Sequence, residues 1–327
     1  MSEPFALIHN SRSRRNGVED GSFRKRAARA LGPHFFHSTS RTLLPEAVAE
    51  LARREVGVIA VDGGDGTVSD VMSAIHRFYP ADALPALAVL PSGNTNLIAA
   101  DVGFGLRGRA ALERLTVMAR AGTLRSTVAR RDALAIRWSD STRPVALGMF
   151  HGAAAFTKGV RIAHRPAILN RFSHDIAVAV AIASSLGRLM FRSTRRKWLA
   201  GNPVTLAVGA EAPRTMDCFL FMATTLRCLP RGMWPFAARQ GADDGAGLAY
   251  LNVRAFPERL LAATWASLRG ETPAWLDSAP AYERGRADCL SLRIDGSFVL
   301  DGEIWDSGPD GRTILTAGPR FDFIRGA

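Results

Sequence analysis

The chain has 327 residues, 47% of them apolar and 22% charged, which excludes an intrinsically disordered protein and leaves room for two domains with their own cores. Its formal net charge is +12, and Lys25, Lys158 and Lys197 are its only lysines. Arginine therefore supplies nearly all the positive charge, which favours phosphate-bearing partners. Cys218, Cys228 and Cys289 are an odd number at wide spacing, against a disulfide framework or a cysteine zinc site and in keeping with a reducing cytosol.

At the start, "MSEPFALIHNSRSRRNG" sets its apolar patch before its arginines, the reverse of a secretory signal. Within it "PFALIHN" reads as a short strand ending at Asn10. "FRKRAARAL" and "PEAVAELARRE" follow as helices with apolar positions at helical spacing. "VGVIAVDGG" reads as a buried strand, "TVSDVMSAIHRF" as a helix, "ALAVLPSG" as a second buried strand and "TNLIAADVG" as a helical segment ending at Gly103. "RAALERLTVMARAG" is a further helix, closed by Gly122. Such alternation predicts an α/β domain over 1–126, a parallel sheet with helices on both faces.

From 127 onward the chain changes to short alternating runs, among them "TVARRDALAIRW", "PVALGMF", "PVTLAVGA", "MDCFLFMATT", "GLAYLNVRAF", "ADCLSLRIDG", "SFVLDGE" and "TILTAGPRFDFI". These predict a second domain over 127–327, a mainly antiparallel β sandwich or barrel, with helices near 165–190 and 257–268 and a C-terminal tail returning to the first domain. No low-complexity linker separates the two, so a site in an interdomain cleft is expected. The longest apolar stretch, 176–186, is well short of the roughly 20 residues a spanning helix needs. Membrane contact is then expected to be peripheral.

Chemistry concentrates in "VDGGDGTVSDVMSAI", residues 61–75. After a buried strand, Gly63, Gly64 and Gly66 remove side chains where backbone must approach a ligand closely, Thr67 offers a hydroxyl, and the helix that follows turns its positive end to the turn. That composition suits an anion. Asp65 suits such a turn if it orients the loop or meets a metal-bound water. A tight connection with no ligand is the plainer alternative. "GFGLRG" (103–108) also satisfies G-x-G-x-x-G, but it follows a helical segment and lacks a dinucleotide fingerprint's context.

Five segments resemble the diacylglycerol kinase catalytic-domain superfamily, which includes sphingosine and ceramide kinases and, more distantly, NAD kinases and phosphofructokinases. "GGDGT" is similar to its signature turn, and "ALIHNSRSRRNG" to its opening strand and Asn-Pro-x-Ser-Gly loop, with Ser11 where proline is usual. "LAVLPSGNTNLIAADVG" resembles the strand followed by P-x-G-T-x-N-x-x-A, with Asn94 in place of the threonine. "ADDGAGLAYLNV" and "FVLDGEIWD" resemble the later acidic-Gly-Leu and Asp-Gly-Glu motifs. An NAD-kinase relationship fits less well, because "PSGNTN" does not resemble that branch's glycine-rich turn.

The resemblance implies an ATP-dependent lipid kinase with an NAD kinase/phosphofructokinase-like first domain. ATP would lie against Gly63, Gly64, Gly66 and Thr67, with Asn10, Ser13, Gly93 and Asn96 lining its pocket, and Mg2+ would neutralise the bridging oxygens. Asp301 would be the general base toward a hydroxyl of diacylglycerol, ceramide or a sphingoid base, Asp65 a contributor from the first domain, and Glu303 an organiser of the nucleotide or metal. Asp243 and Asp244 suit a magnesium or ion-pair site as well as an ordinary turn. Asp301 suits a hairpin turn equally well on composition alone. A catalytically silent nucleotide-binding or membrane-binding regulator remains the alternative, since the threonine hydroxyl absent at Asn94 is replaced, if at all, by Thr95.

The expected partners are a lipid substrate and an anionic membrane surface at the cytosolic face, without nucleic acid, and a homodimer stays open. The loop 226–241 interleaves Arg227, Arg231 and Arg239 with Leu229, Met233, Trp234 and Phe236, which fits a headgroup boundary or a core-packed crossing equally well. The segment 165–198 is either a core helix or part of a lipid entrance. His151 is expected to be a satisfied structural histidine.

Overall fold

A computed structural model describes residues 3–18, 21–140, 142–163, 192–237 and 247–326. The chain divides into two units, one formed by Met1–Ala133, Ala146–Gly148 and Pro319–Ala327, the other by Leu134–Val145 and Met149–Gly318.

The first unit runs β1 (Ala6–Asn10), α1 (Ser22–Leu31), β2 (Phe35–Ser38), α2 (Leu44–Arg53), β3 (Val58–Gly63), α3 (Asp65–Phe78), β4 (Ala86–Pro91), α4 (Leu97–Val102) and α5 (Gly108–Ala121). Its strands are parallel in the order β2-β1-β3-β4, and Phe323 lies parallel beside Leu87 of β4. All of β3 is buried, as a strand covered on both faces must be, and this is why it reads as a continuous apolar run. Val58, Ala60, Ala86, Ala88 and Leu90 join a core with Phe23 and Ala27 of α1 and Leu112, Leu115 and Met118 of α5. Val48 and Leu51 of α2 and Val71, Met72 and Ile75 of α3 are also fully buried.

The strand β2 has no counterpart in the sequence reading. It is four residues long, only its last residue is buried, and it sits at the end of the sheet beyond β1. Its presence determines where a ligand can bind. The chain leaves β1 for β2 on one side and then returns past β1 to β3 on the other, so the order reverses between β1 and β3. In open α/β sheets ligands bind outside the C-terminal ends of the strands at that reversal.

Beyond the first nine elements the chain continues with β5 (Val128–Trp138), β6 (Ala146–Gly148), β7 (Phe150–Ala154), α6 (Ala155–Ala163), α7 (Arg192–Leu199), β8 (Asn202–Val208), β9 (Arg214–Thr224) and β10 (Leu248–Arg254). It ends with α8 (Leu260–Leu268), α9 (Ala274–Ser278), β11 (Tyr282–Ala287), β12 (Cys289–Ile294), β13 (Ser297–Leu300), β14 (Glu303–Asp306) and β15 (Arg312–Ile324). The second unit is antiparallel, and β9 is its hub. One part of β9 pairs with β8 and another with β7, while β10 pairs along it and carries β11. The helix expected at 257–268 is α8, whereas the one expected near 165–190 lies outside the described residues.

The described part of the loop at 226–241 is a core crossing. Leu229, Trp234 and Phe236 are 8%, 6% and 0% exposed. Trp234 donates from Nε1 to Ala237 O (2.9 Å) and meets Phe236 edge-on with ring centroids 5.1 Å apart. These aromatics serve the interior rather than a headgroup boundary. Arg239 lies outside the described residues.

Candidate functional site

Three segments meet at the C-terminal ends of the first unit's strands. The loop after β1 folds on itself: Ser13 is buried, its N–H donates to Asn10 O (3.2 Å), and its carbonyl accepts from Asn16 N and Gly17 N (2.9 Å each). Across the β1/β3 reversal, Asn10 Nδ2 donates to Thr67 Oγ1 at 2.8 Å. An accepting hydroxyl keeps its own O–H to donate, so Thr67 can still serve an anion. Arg15 ties the same loop to the end of β4, donating from its N–H to Ser92 O (3.2 Å) and from its guanidinium to Pro91 O (3.3 Å).

The glycines are explained by the close approach of two turns. A Cβ on Gly63 would stand 2.6 Å from Thr67 Cβ, one on Gly64 would stand 3.0 Å from Gly93 Cα, and one on Gly93 would land on Gly64 Cα. Gly66 lies in the first turn of α3, beside Thr67. The result is two turns packed backbone against backbone at the N-terminal end of a 14-residue helix. That suits a phosphate, which binds backbone N–H groups at a helix start.

Asp65 joins those two turns. It is 6% exposed, and its Oδ2 accepts from Leu97 N (2.9 Å) and Thr95 Oγ1 (2.9 Å) while Oδ1 accepts from Ile98 N (3.0 Å). Burial pushes its carboxyl above the usual range, against the pull of the Ile98, Leu97 and Thr95 donors. Asn96, at the N-cap of α4, has φ 48° and no side-chain cap bond to the helix. Its amide is bound to Gly93 instead, accepting from Gly93 N (2.9 Å) and donating to Gly93 O (3.0 Å). Asp65 thus takes over the capping of α4 from outside the helix. Of the two roles expected for Asp65, its hydrogen bonds are those of the one that orients the loop.

Beneath the site is a network that sequence reasoning missed. Asp62, 1% exposed, accepts from His9 Nδ1 (2.7 Å) and from Ser92 Oγ, so one carboxylate ties β1, β3 and the residue after β4. Asn16 Nδ2 donates to Asn10 O (3.0 Å) and Asp62 O (3.2 Å). The available signal was the polar residue ending each of two buried runs, His9 before Asn10 and Asp62 before Gly63.

In the second unit Asp301 and Gly302 form the turn between β13 and β14, with φ 47° and 85°. Positive φ at both central residues is the hairpin turn that Asp-Gly favours. Asp301 is 4% exposed; its Oδ2 accepts from Met149 N and its Oδ1 from Phe150 N, both at 2.9 Å. Those N–H groups lie where the apolar run "PVALGMF" passes from β6 to β7. Glu303, half-buried, opens β14 opposite Leu300.

Asp243 and Asp244 lie outside the described residues. Among the described residues no three histidine, cysteine or acidic side chains gather as a metal site. Asp65 and Asp301 spend both oxygens on protein donors. The described residues therefore fit a nucleotide phosphate but assemble no magnesium ligand set.

His151 on β7 departs from expectation. It is fully buried and neither ring nitrogen has a hydrogen-bond partner among the described residues. It stacks on Phe298 (5.1 Å) and meets Phe221 edge-on (5.7 Å). Burial holds its pKa down to about 3, so it is a neutral aromatic in an apolar layer.

Comparison with known proteins matches this architecture. Residues 4–126 match the family model of the diacylglycerol kinase catalytic domain. The Stenotrophomonas maltophilia (strain K279a) protein named "Probable lipid kinase YegS-like" is 47% identical over 57 residues, which span 17% of this chain and 18% of that protein. A crystal structure of a diacylglycerol kinase from Bacillus anthracis strain Sterne superposes with TM-score 0.58 at 16% identity, over 99% of this chain and 97% of that one. A second crystal structure from the same strain gives TM-score 0.60 at 16% identity, with the same coverage. At such identity the likeness establishes the fold.

Proposed function

We propose, for a chain whose residues 4–126 belong to the diacylglycerol kinase catalytic-domain family, an ATP-dependent lipid kinase that transfers the γ-phosphate to a lipid hydroxyl at a membrane surface. The observation that carries the reading is the pair of packed turns at Gly63, Gly64 and Gly93, set beside Asn10 and Thr67 at the β1/β3 reversal. Backbone at a helix start suits a ligand rich in acceptor oxygens.

ATP supplies the phosphoryl group. Gly63, Gly64 and Gly93 let the two turns close on each other beside the phosphates, Gly66 opens the first turn of α3 toward them, Thr67 Oγ donates toward them, and Arg15 brings a guanidinium to the rim. Asn10, Ser13 and Asn96 hold the loops that form the walls. Asp65 is a positioning residue, because it keeps the turn at 92–96 against the turn at 63–66. For Asp301 the proposal is a general base toward the proton of a lipid hydroxyl, set at the buried turn between β13 and β14 and oriented by the N–H groups of Met149 and Phe150. Phosphoryl transfer needs little more than positioning and charge stabilisation from the protein. Glu303 follows on the next strand as an organiser of the polar groups around that turn.

A second reading, a nucleotide-binding protein of this fold that transfers no phosphate, is favoured by the occupation of both carboxylates. Incubation with labelled ATP, magnesium and vesicles containing diacylglycerol, ceramide or sphingosine separates the two. Transfer to one lipid is expected, with the product's mass identifying the acceptor, and transfer to none sinks the kinase. Equilibrium ATP binding tests the site itself. Gly93→Ala, whose methyl would overlap Gly64, is expected to weaken ATP at least about tenfold, and unchanged affinity would remove the packed turns as the phosphate site.

A further inference from the structure

Helix α8 is amphipathic in the wrong sense. Its sequence, LLAATWASL, contains no charged residue. Ala263 and Ala266 are its buried residues, at 5% and 6% exposure, while Leu261 and Trp265 are 65% and 62% exposed. At 3.6 residues per turn the two pairs face directions roughly 150° apart. The small side chains point in and the large apolar ones point out, which the packing of a helix on its own core does not produce. Phe256, just before the helix, is 53% exposed. Three of the seven large apolar side chains exposed among the described residues thus fall between 256 and 265. Single exposed apolar residues are ordinary, but a cluster of this kind marks a surface that meets a partner.

The surrounding charge identifies the partner. Leu261, Trp265 and Arg269 continue one stripe at a spacing of four, and Arg259 places its guanidinium 5.5 Å over the ring of Trp275. The end of α8 is held to the neighbouring loop by the bond from Trp234 N to Ser267 O (2.9 Å), which brings the exposed Arg231 alongside. Arg231, Arg259 and Arg269 lie around the helix with Glu258, Glu271 and Asp277, Arg269 pairing with Glu271 at 2.7 Å, in a chain of net charge +12. Tryptophan and leucine rimmed by arginine are the composition of a helix lying in a headgroup region, with rings at the acyl boundary and guanidinium groups on phosphates.

We propose that this face of the second unit is the surface by which the protein docks on an anionic lipid bilayer, with Phe256, Leu261 and Trp265 entering the acyl boundary. The assignment rests on the lipid-kinase reading only in that a bilayer would then carry the substrate. It concerns none of the residues placed in the nucleotide or phosphoryl-transfer sites.

The full-length protein is co-sedimented with vesicles of phosphatidylcholine alone and of phosphatidylcholine mixed with phosphatidylglycerol. Binding to the anionic vesicles is expected, reduced about tenfold or more in Leu261→Ser/Trp265→Ser, with unchanged thermal melting and unchanged turnover of detergent-dispersed diacylglycerol. Arg259→Gln/Arg269→Gln is expected to weaken only the anionic binding and to flatten its salt dependence. Trp265→Phe keeps the apolar contact and is expected to retain binding while losing the quenching of tryptophan emission by brominated lipid. Equal binding by wild type and the serine variant overturns the docking surface, as does undiminished quenching in Trp265→Phe. A solution dimer that the serine variant converts to monomer assigns the face to a second copy and likewise overturns it. Trp265-dependent vesicle binding without transfer to any lipid in detergent ends the kinase reading and leaves the docking surface standing.

Discussion

Two turns of this molecule look alike in sequence: Asp65-Gly66 follows the buried strand β3, and Asp301-Gly302 follows the buried strand β13. Each aspartate is buried and each gives both carboxylate oxygens to backbone N–H groups, yet they hold different things. Asp65 caps a helix from a neighbouring loop and so joins the two glycine turns of the proposed phosphate site. Asp301, at φ 47°, fastens a hairpin to the junction of two strands. An aspartate beside a glycine reads as chemistry in the sequence, but here it is first of all an anchor. Only Asp301 remains a candidate to be both anchor and base.

The comparison breaks most visibly at Asp301. Asp301→Ala leaves two buried N–H donors unpaired and is expected to destabilise the protein by roughly 2–5 kcal/mol in denaturant titration, with turnover in the folded fraction falling about 100-fold or more. Stability loss with turnover retained would make Asp301 an anchor alone. Asp301→Asn is not a clean test of the base, because its amide N–H would face a backbone N–H.

At Asp65 the same change should affect binding rather than chemistry. Asp65→Asn points donors at Leu97 N and Thr95, costs about 1–3 kcal/mol, and is expected to raise the KM for ATP more than it lowers kcat. An equal fall of kcat and kcat/KM would place Asp65 at the reacting atoms instead.

His151 lies opposite Leu300, next to the Asp301 turn, and its effect is on pH. Its folded pKa of about 3 lies below the ordinary 6.5, so the unfolded chain takes up a proton that the native state refuses. Stability should be complete above pH 6.5 and decline as pH falls toward 3, by up to about 1.4 kcal/mol per pH unit. His151→Phe is expected to flatten that slope and to be the more stable protein at pH 5, as read by thermal melting; parallel profiles would refute the assignment. The smallest effect is expected at Thr67→Val, which removes the bond from Asn10 and the hydroxyl facing the phosphates. Loss of about 1 kcal/mol of ATP affinity by calorimetry is expected, and no loss would confine Thr67 to packing.

Much of the first unit was legible in the residues. The buried runs of β3 and β4, the helix closed by Gly122 and the glycine turn between them carry local patterns strong enough to read without partners. β2 was not legible, since four residues at a sheet edge, only the last of them buried, have no pattern of their own. The Asp62 network was hidden for a related reason, because His9 and Ser92 are 83 residues apart in sequence and become neighbours only when three strands align. The aromatics at 226–241 left a headgroup boundary and a core crossing equally open, because interior and interfacial composition are the same. Burial distinguishes them, and it moved the candidate lipid contact to α8.

Among the described residues no helix is long and apolar enough to cross a membrane. By itself the sequence determined the parallel α/β first unit, the antiparallel second unit and the glycine turn at 63–67, because backbone periodicity and glycine placement act within a few residues of chain. The tertiary structure decided that the glycine turns meet beside the β1/β3 reversal, that Asp65 is spent on α4, and that Leu261 and Trp265 face outward. Those outcomes depend on which distant groups compete for one carboxylate or one patch of interior, and local sequence carries no record of that competition.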